Sequence, residues 1–364
     1  MERELKRNIS TIYMRQNVDY ISYMKCILLL GMLFGHVLVF VYEKDLDLVT
    51  HRGTKYFIIA ILAEYFHLIT FSGYFFCFGY LCNLVYFNSE DLKKTRNKIL
   101  NSSWRMLVGF YISAFSFKIL VYPGINWEIS QENIINILIL KDIPGFSEFL
   151  ISYFALMILI YLFFPIFKNI FGIRGIFLLL LSLFLFVLSY IVPYDKIDSR
   201  LGLYIGSTKF SSFPVLLYFP YYLLGGYFSQ NKKNILNNRW LVSLLALGTI
   251  IYLNYIYIYG ISPSRFPPSF IWLIGGLLFV YIYFFICFYF DKWISKINCL
   301  KRLSNFMIEL GQNTFYYLIL SNIFLFAYGR IFSKQGLTFT LIIFLIIILV
   351  PYYLLKIARP LKRN

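Results

Sequence analysis

Ten apolar stretches, each near twenty residues, occupy positions 21–42, 57–83, 104–122, 149–167, 174–192, 211–228, 240–259, 269–290, 306–328 and 338–355. A helix rising 1.5 Å per residue needs about 20 such residues to cross a hydrocarbon layer ~30 Å thick, and lipid satisfies no open sheet edge. The pattern therefore predicts an all-α, polytopic integral membrane protein of about ten transmembrane helices. The second run is longer than one straight span requires and is expected to tilt, or to break near Ser72 and Gly73. With 60% hydrophobic residues and 14% charged over 364 positions, no polar half is left for a soluble domain. Residues 1–364 thus read as a single membrane domain.

Ten spans return both termini to one side. Of the 34 Lys and Arg, 22 fall in the N-terminal lead, the connections 88–105, 168–174, 229–239 and 291–302, and the C-terminal tail; 10 fall in the alternate connections. The positive-inside bias then places both termini in the cytoplasm, with 1–20 as a cytoplasmic lead and 356–364 as a basic tail. The same placement accounts for the formal charge of +17 through topology and anionic headgroups, and argues against a nucleic-acid partner. The lead MERELKRNISTIYMRQ precedes a run too long for a signal h-region, without a small-residue cleavage site, so the first run is expected to remain as a helix. Cys26, Cys77, Cys82 and Cys287 lie in or beside apolar runs with no disulfide or metal spacing; Cys299 lies in a basic connection. The abundance of Tyr and Phe suits either membrane interfaces with a compositional bias or a stacking surface for sugars.

Ionisable residues inside apolar runs carry the functional signal, because each costs insertion energy. Lys25 and His36 share the first run, eleven steps or roughly 16 Å apart, and so mark two depths of one helix. Lys25 can snorkel to headgroups. His36, deeper in the outer half, either accepts a proton from a substrate hydroxyl or hydrogen-bonds a neighbouring helix. Arg105 lies inside the third run, where an unpaired guanidinium costs about 2.5–3.5 kcal/mol. Lys93, Lys94, Arg96 and Lys98 precede it, a cluster that suits phosphates or plain topology. Glu64 and His67, three apart on one helical face, sit at a depth comparable to His36, either lining an entrance or forming a wetted interfacial pair. Glu148 opens the fourth run from the outer face, Lys118 is expected to snorkel, and Asp19 is a further buried polar candidate.

These residues and several motifs resemble the membrane acyltransferase 3 family. Lys25, ten intervening residues and His36 are similar to its first-helix signature. FFCFGYL (75–81) resembles a second-helix motif with Phe78 where serine is usual. WRMLVGFY (104–111) resembles an arginine entering the third helix, with Gly109 in place of a proline. ISYFALMILIYLFFP (151–165) resembles a segment that opens on Trp-Phe, with Tyr153 replacing the tryptophan. YFPYYLLGGYF matches a later Phe-rich helix, and LGQNTFYYLILSN (310–322) resembles a tract that commonly finishes in histidine, with Ser321 or Asn322 in that place.

The resemblance implies a membrane-bound O-acyltransferase, foremost an O-acetyltransferase, in a bacterial cytoplasmic membrane. It would move an acyl group from acetyl-CoA, or another acyl-CoA, to a sugar hydroxyl of a capsular polysaccharide, exopolysaccharide or lipid-linked oligosaccharide of the cell envelope. His36 is then expected to act as general base or acyl carrier, Lys25 and Arg105 to hold the anionic donor, and Glu64, His67 and Glu148 to line the acceptor entrance. No metal is expected, and the resemblance leaves room for a homodimer. The rival reading is a polysaccharide exporter or flippase, which should show inverted repeats or several broken helices.

Overall fold

The computed structural model describes residues 2–43, 53–89, 91–121, 130–208, 213–235, 238–294, 297 and 300–358. Cys299 and the tail beyond 358 lie outside the described residues. Among them the chain is helical, with two isolated bridges and no strand. The helices are α1 (Glu2–Phe40), α2 (Phe57–Leu81), α3 (Leu92–Val121), α4 (Gln131–Leu138), α5 (Glu148–Leu162), α6 (Phe164–Gly172), α7 (Gly175–Leu188), α8 (Ser199–Ile205), α9 (Val215–Ile235), α10 (Arg239–Tyr259), α11 (Phe270–Gly275), α12 (Leu277–Ile294), α13 (Lys301–Gln312), α14 (Thr314–Ile331) and α15 (Leu337–Ala358).

Among the described residues each apolar run is largely helical, but the expectation of ten spans needs correction. Six helices among the described residues are long and apolar enough to cross a membrane, or seven if α5 and α6, bent by 84° at Phe163, form one broken span. Length is one reason: α7, with 14 helical residues, rises only about 21 Å. Breaks are the other, since the run 306–328 divides at Asn313 between α13 and α14. The protein is a multi-pass, all-α membrane protein.

The second run does not break at Ser72 and Gly73. Ser72 donates to the carbonyl of Leu68 and α2 continues to Leu81, its surplus length passing into a π-helical turn, Cys82–Phe87. Nor does Lys118 reach out to headgroups: its ammonium pairs with Asp142 at 2.6 Å.

Helix packing is set by close backbone approach and by rings. A Cβ on Gly79 would lie 1.8 Å from the Tyr222 carbonyl oxygen, and one on Gly225 would lie 2.0 Å from that of Phe76, so α2 and α9 meet backbone to backbone. Buried Tyr and Phe fill the wider gaps. Tyr20 of α1 is hydrogen-bonded to Tyr80 of α2 and meets Phe284 of α12 edge-on.

The connections gather at two ends. At one, Gln335 pairs with the backbone of Val41 and Glu43, Lys118 with Asp142, and Tyr194 donates to the Pro268 carbonyl. At the other, Asn83 donates to Ser229, Gln230 to the Phe171 carbonyl, and Tyr23 is hydrogen-bonded to Ser304 at 2.6 Å.

Overpacking a close helix contact typically costs about 1–3 kcal/mol, and here carbonyl oxygens stand in the way. Gly225→Val is therefore expected to lower the temperature at which the detergent-extracted protein loses monodisperse elution. Gly172→Ala, with nothing within 4 Å of the added carbon, is expected to leave it unchanged.

Candidate functional site

Two cavities lie end to end beside α1. The first, about 320 Å³, is lined by His36 and Gly35 from α1, His67 from α2, Phe146 and Glu148 at the start of α5, and Arg265 from the loop before α11. The second, about 210 Å³, is lined by Lys25, Tyr74, Phe78 and Tyr153, with Gln312 and Thr314 at the α13–α14 break. Met32, Phe149 and Leu318 line both, so these three side chains stand between the Lys25 chamber and the His36 chamber.

Helix periodicity explains the arrangement along α1. Lys25, Met32 and His36 are separated by seven and four residues, close to whole helical turns, so they share one stripe. Gly35 lies beside His36, and a Cβ there would sit 3.3 Å from His67 Nε2; the missing side chain lets the two imidazoles share one cavity. His36 Nδ1 lies 3.1 Å from Asn322 Oδ1 on α14, and the Phe146 ring meets the imidazole edge-on at 4.9 Å. Phe146 has φ of +65°, a left-handed conformation rare for an aromatic residue, in the short loop that turns into α5.

The two readings of His36 both hold, for it bonds a neighbouring helix and also faces a cavity. Of the sequence candidates, His36, His67 and Glu148 come together in one chamber and Lys25 lines the other. Glu64 does not line the His36 chamber; it accepts a hydrogen bond from Tyr252 of α10 at 3.3 Å. Arg105 is exposed on α3 and lines neither cavity, because the helical period turns Ser103 and Met106 inward and leaves Trp104 and Arg105 outside. Ser321 turns back to the Leu318 carbonyl, so Asn322 is the member of that pair that reaches His36.

Arg265 escaped the sequence reading, which counted it as one loop charge. Its guanidinium stacks over Phe266 at 4.4 Å. Burial pulls its pKa below the ordinary value, while Tyr218, Glu64 and Glu148 pull it upward. The only signal available in sequence was its isolation among prolines and aromatics in RFPPSF. Asn322 was marked only as one of two residues in the place of a family histidine, and Phe146, which does not titrate, gave no signal.

A helical membrane protein that turns ionisable side chains toward two adjoining cavities fits the class of membrane-embedded enzymes and carriers. The family model described as an acyltransferase domain matches residues 18–356, and the chain belongs to that acyltransferase 3 family. It is an acyltransferase. No curated protein and no solved structure matches it.

Misplacing a reacting group by about 1 Å can cost 10²-fold in rate. Gly35→Leu, which forces the His67 imidazole aside, is expected to lower acyl transfer by at least about tenfold, with Gly35→Ala close to wild type. Acyl label transferred by membrane vesicles carrying each variant measures both.

Proposed function

We propose that this acyltransferase moves an acyl group, foremost acetyl, from cytoplasmic acyl-CoA to a sugar hydroxyl of a surface polysaccharide or lipid-linked oligosaccharide, across a bacterial cytoplasmic membrane. The observation that carries this reading is the pair of chambers, one with Lys25 and one with His36, parted by Met32, Phe149 and Leu318. A donor held at one end and an acceptor at the other would meet near the partition. In this reading both termini are cytoplasmic, the two gatherings of connections being the two membrane faces. The bias of basic residues supports the Lys25 end as the inner one.

His36 then acts as general base. Its imidazole takes the proton of the acceptor hydroxyl as the oxygen forms a C–O bond to the acyl carbon; the C–S bond breaks, and the proton passes from the imidazolium to the departing thiolate. Lys25 offers a positive charge to the anionic donor. Arg105, adjacent to the cavity-lining Met106, would meet donor phosphates outside the chamber. His67, Glu148 and Arg265 offer hydrogen bonds to the acceptor, with Glu64 behind them on Tyr252.

His36→Ala is expected to lower acyl transfer by about 10²–10⁴-fold in correctly inserted protein. Lys25→Ala is expected to raise the KM for acetyl-CoA by about tenfold or more, and Arg265→Ala that for the acceptor. Mass spectrometry of surface glycans from cells with and without the gene tests the reaction itself. Loss of an acetyl mass per repeat supports it; loss of polymer without a mass change would favour an exporter, a reading to which the 84° bend between α5 and α6 lends some support.

A further inference from the structure

We infer that Asn322 is the positioning residue of this site: backed by the Phe146 carbonyl, it holds His36 in the tautomer protonated on Nδ1 and leaves Nε2 as the base. This rests on the reading of His36 as the proton acceptor.

The argument runs from the carboxamide outward. Asn322 is fully buried, and its Nδ2 donates to the Phe146 carbonyl at 3.0 Å and to Ser113 Oγ at 3.1 Å. A carbonyl oxygen only accepts, so the amide nitrogen must face Phe146; the flipped amide would set two oxygens against each other at that distance. With both N–H groups committed, Asn322 Oδ1 is the atom that faces His36, and it too only accepts. The imidazole nitrogen 3.1 Å away must therefore donate, which puts the proton on Nδ1 and the lone pair on Nε2.

Nothing among the described residues hydrogen-bonds Nε2, and His36 lines the chamber. The left-handed backbone at Phe146 does two jobs at once: it presents the carbonyl to Asn322 and the ring edge to the imidazole. An amide has no proton to lose in the working range, so Asn322 cannot exchange the Nδ1 proton as a histidine in its place could. The charged and titratable groups around His36 are His67 from α2, Glu148 from α5 and Arg265 from the loop before α11. Glu64 of α2 is bonded to Tyr252, Lys118 of α3 is paired with Asp142, and Arg330 of α14 donates to the Ile119 carbonyl.

The test uses full-length protein in membrane vesicles, with labelled acetyl-CoA and the glycan fraction of the same cells. Asn322→Leu is expected to lower kcat by about thirtyfold or more while the KM for acetyl-CoA stays within about twofold. Asn322→Asp is expected to move the acid limb of the rate profile up by about one pH unit, because a carboxylate favours the imidazolium and removes the neutral base at low pH. Full turnover in Asn322→Leu, or full turnover with an unshifted limb in Asn322→Asp, overturns the inference; should the Leu variant not elute as a monodisperse species, the Asp variant decides. A His36→Ala protein without activity beside a fully active Asn322→Leu removes the positioning role alone, whereas an active His36→Ala removes the general-base reading as well.

Discussion

Hydrocarbon offers a polar group nothing to bond to, and the arrangement of this chain follows from that constraint. Backbone groups are satisfied within helices, and the few side-chain groups that cannot be satisfied there are turned toward one another. His36 meets Asn322, Lys118 meets Asp142, and Glu64 meets Tyr252. Lys25, His36, His67, Glu148 and Arg265 line two cavities beside α1, which is where chemistry can occur without exposing those groups to lipid.

The departures from the family pattern also fall together. Phe78 stands where serine is usual and Tyr153 where tryptophan is usual; their rings touch at 5.7 Å, and both line the Lys25 chamber. A larger side chain on α2 thus faces a smaller one on α5, which conserves volume across the contact. Gly109, in place of a proline, lets α3 close on Phe315 and Ile319 of α14, the helix that carries Asn322. The third and fourteenth helices therefore hold the carboxamide from both sides, Ser113 being its α3 partner.

Much of the site was legible before the fold. An ionisable residue inside an apolar run is conspicuous, so Lys25, His36, His67 and Glu148 could be singled out, and the structure places all four at cavity walls. Arg105 was conspicuous for the same reason yet lies outside, because hydropathy gives depth and not azimuth. Asn322 and Phe146 were illegible as a relay: a carboxamide and a carbonyl carry no charge signature, and the hydrogen bond between them joins residues 176 positions apart.

The sequence by itself determined that this chain is helical and membrane-embedded, that it belongs to an acyltransferase family, and which few groups are costly enough to need a purpose. The first and last of these follow from local composition and spacing, and the family from the motifs and the match over residues 18–356. Only the tertiary structure decided how many helices are long enough to span, which of the costly groups share a chamber, and which nitrogen of His36 is bonded to Asn322. Such outcomes depend on helix rotation and on breaks at Phe163 and Asn313, and a one-dimensional hydropathy pattern records neither.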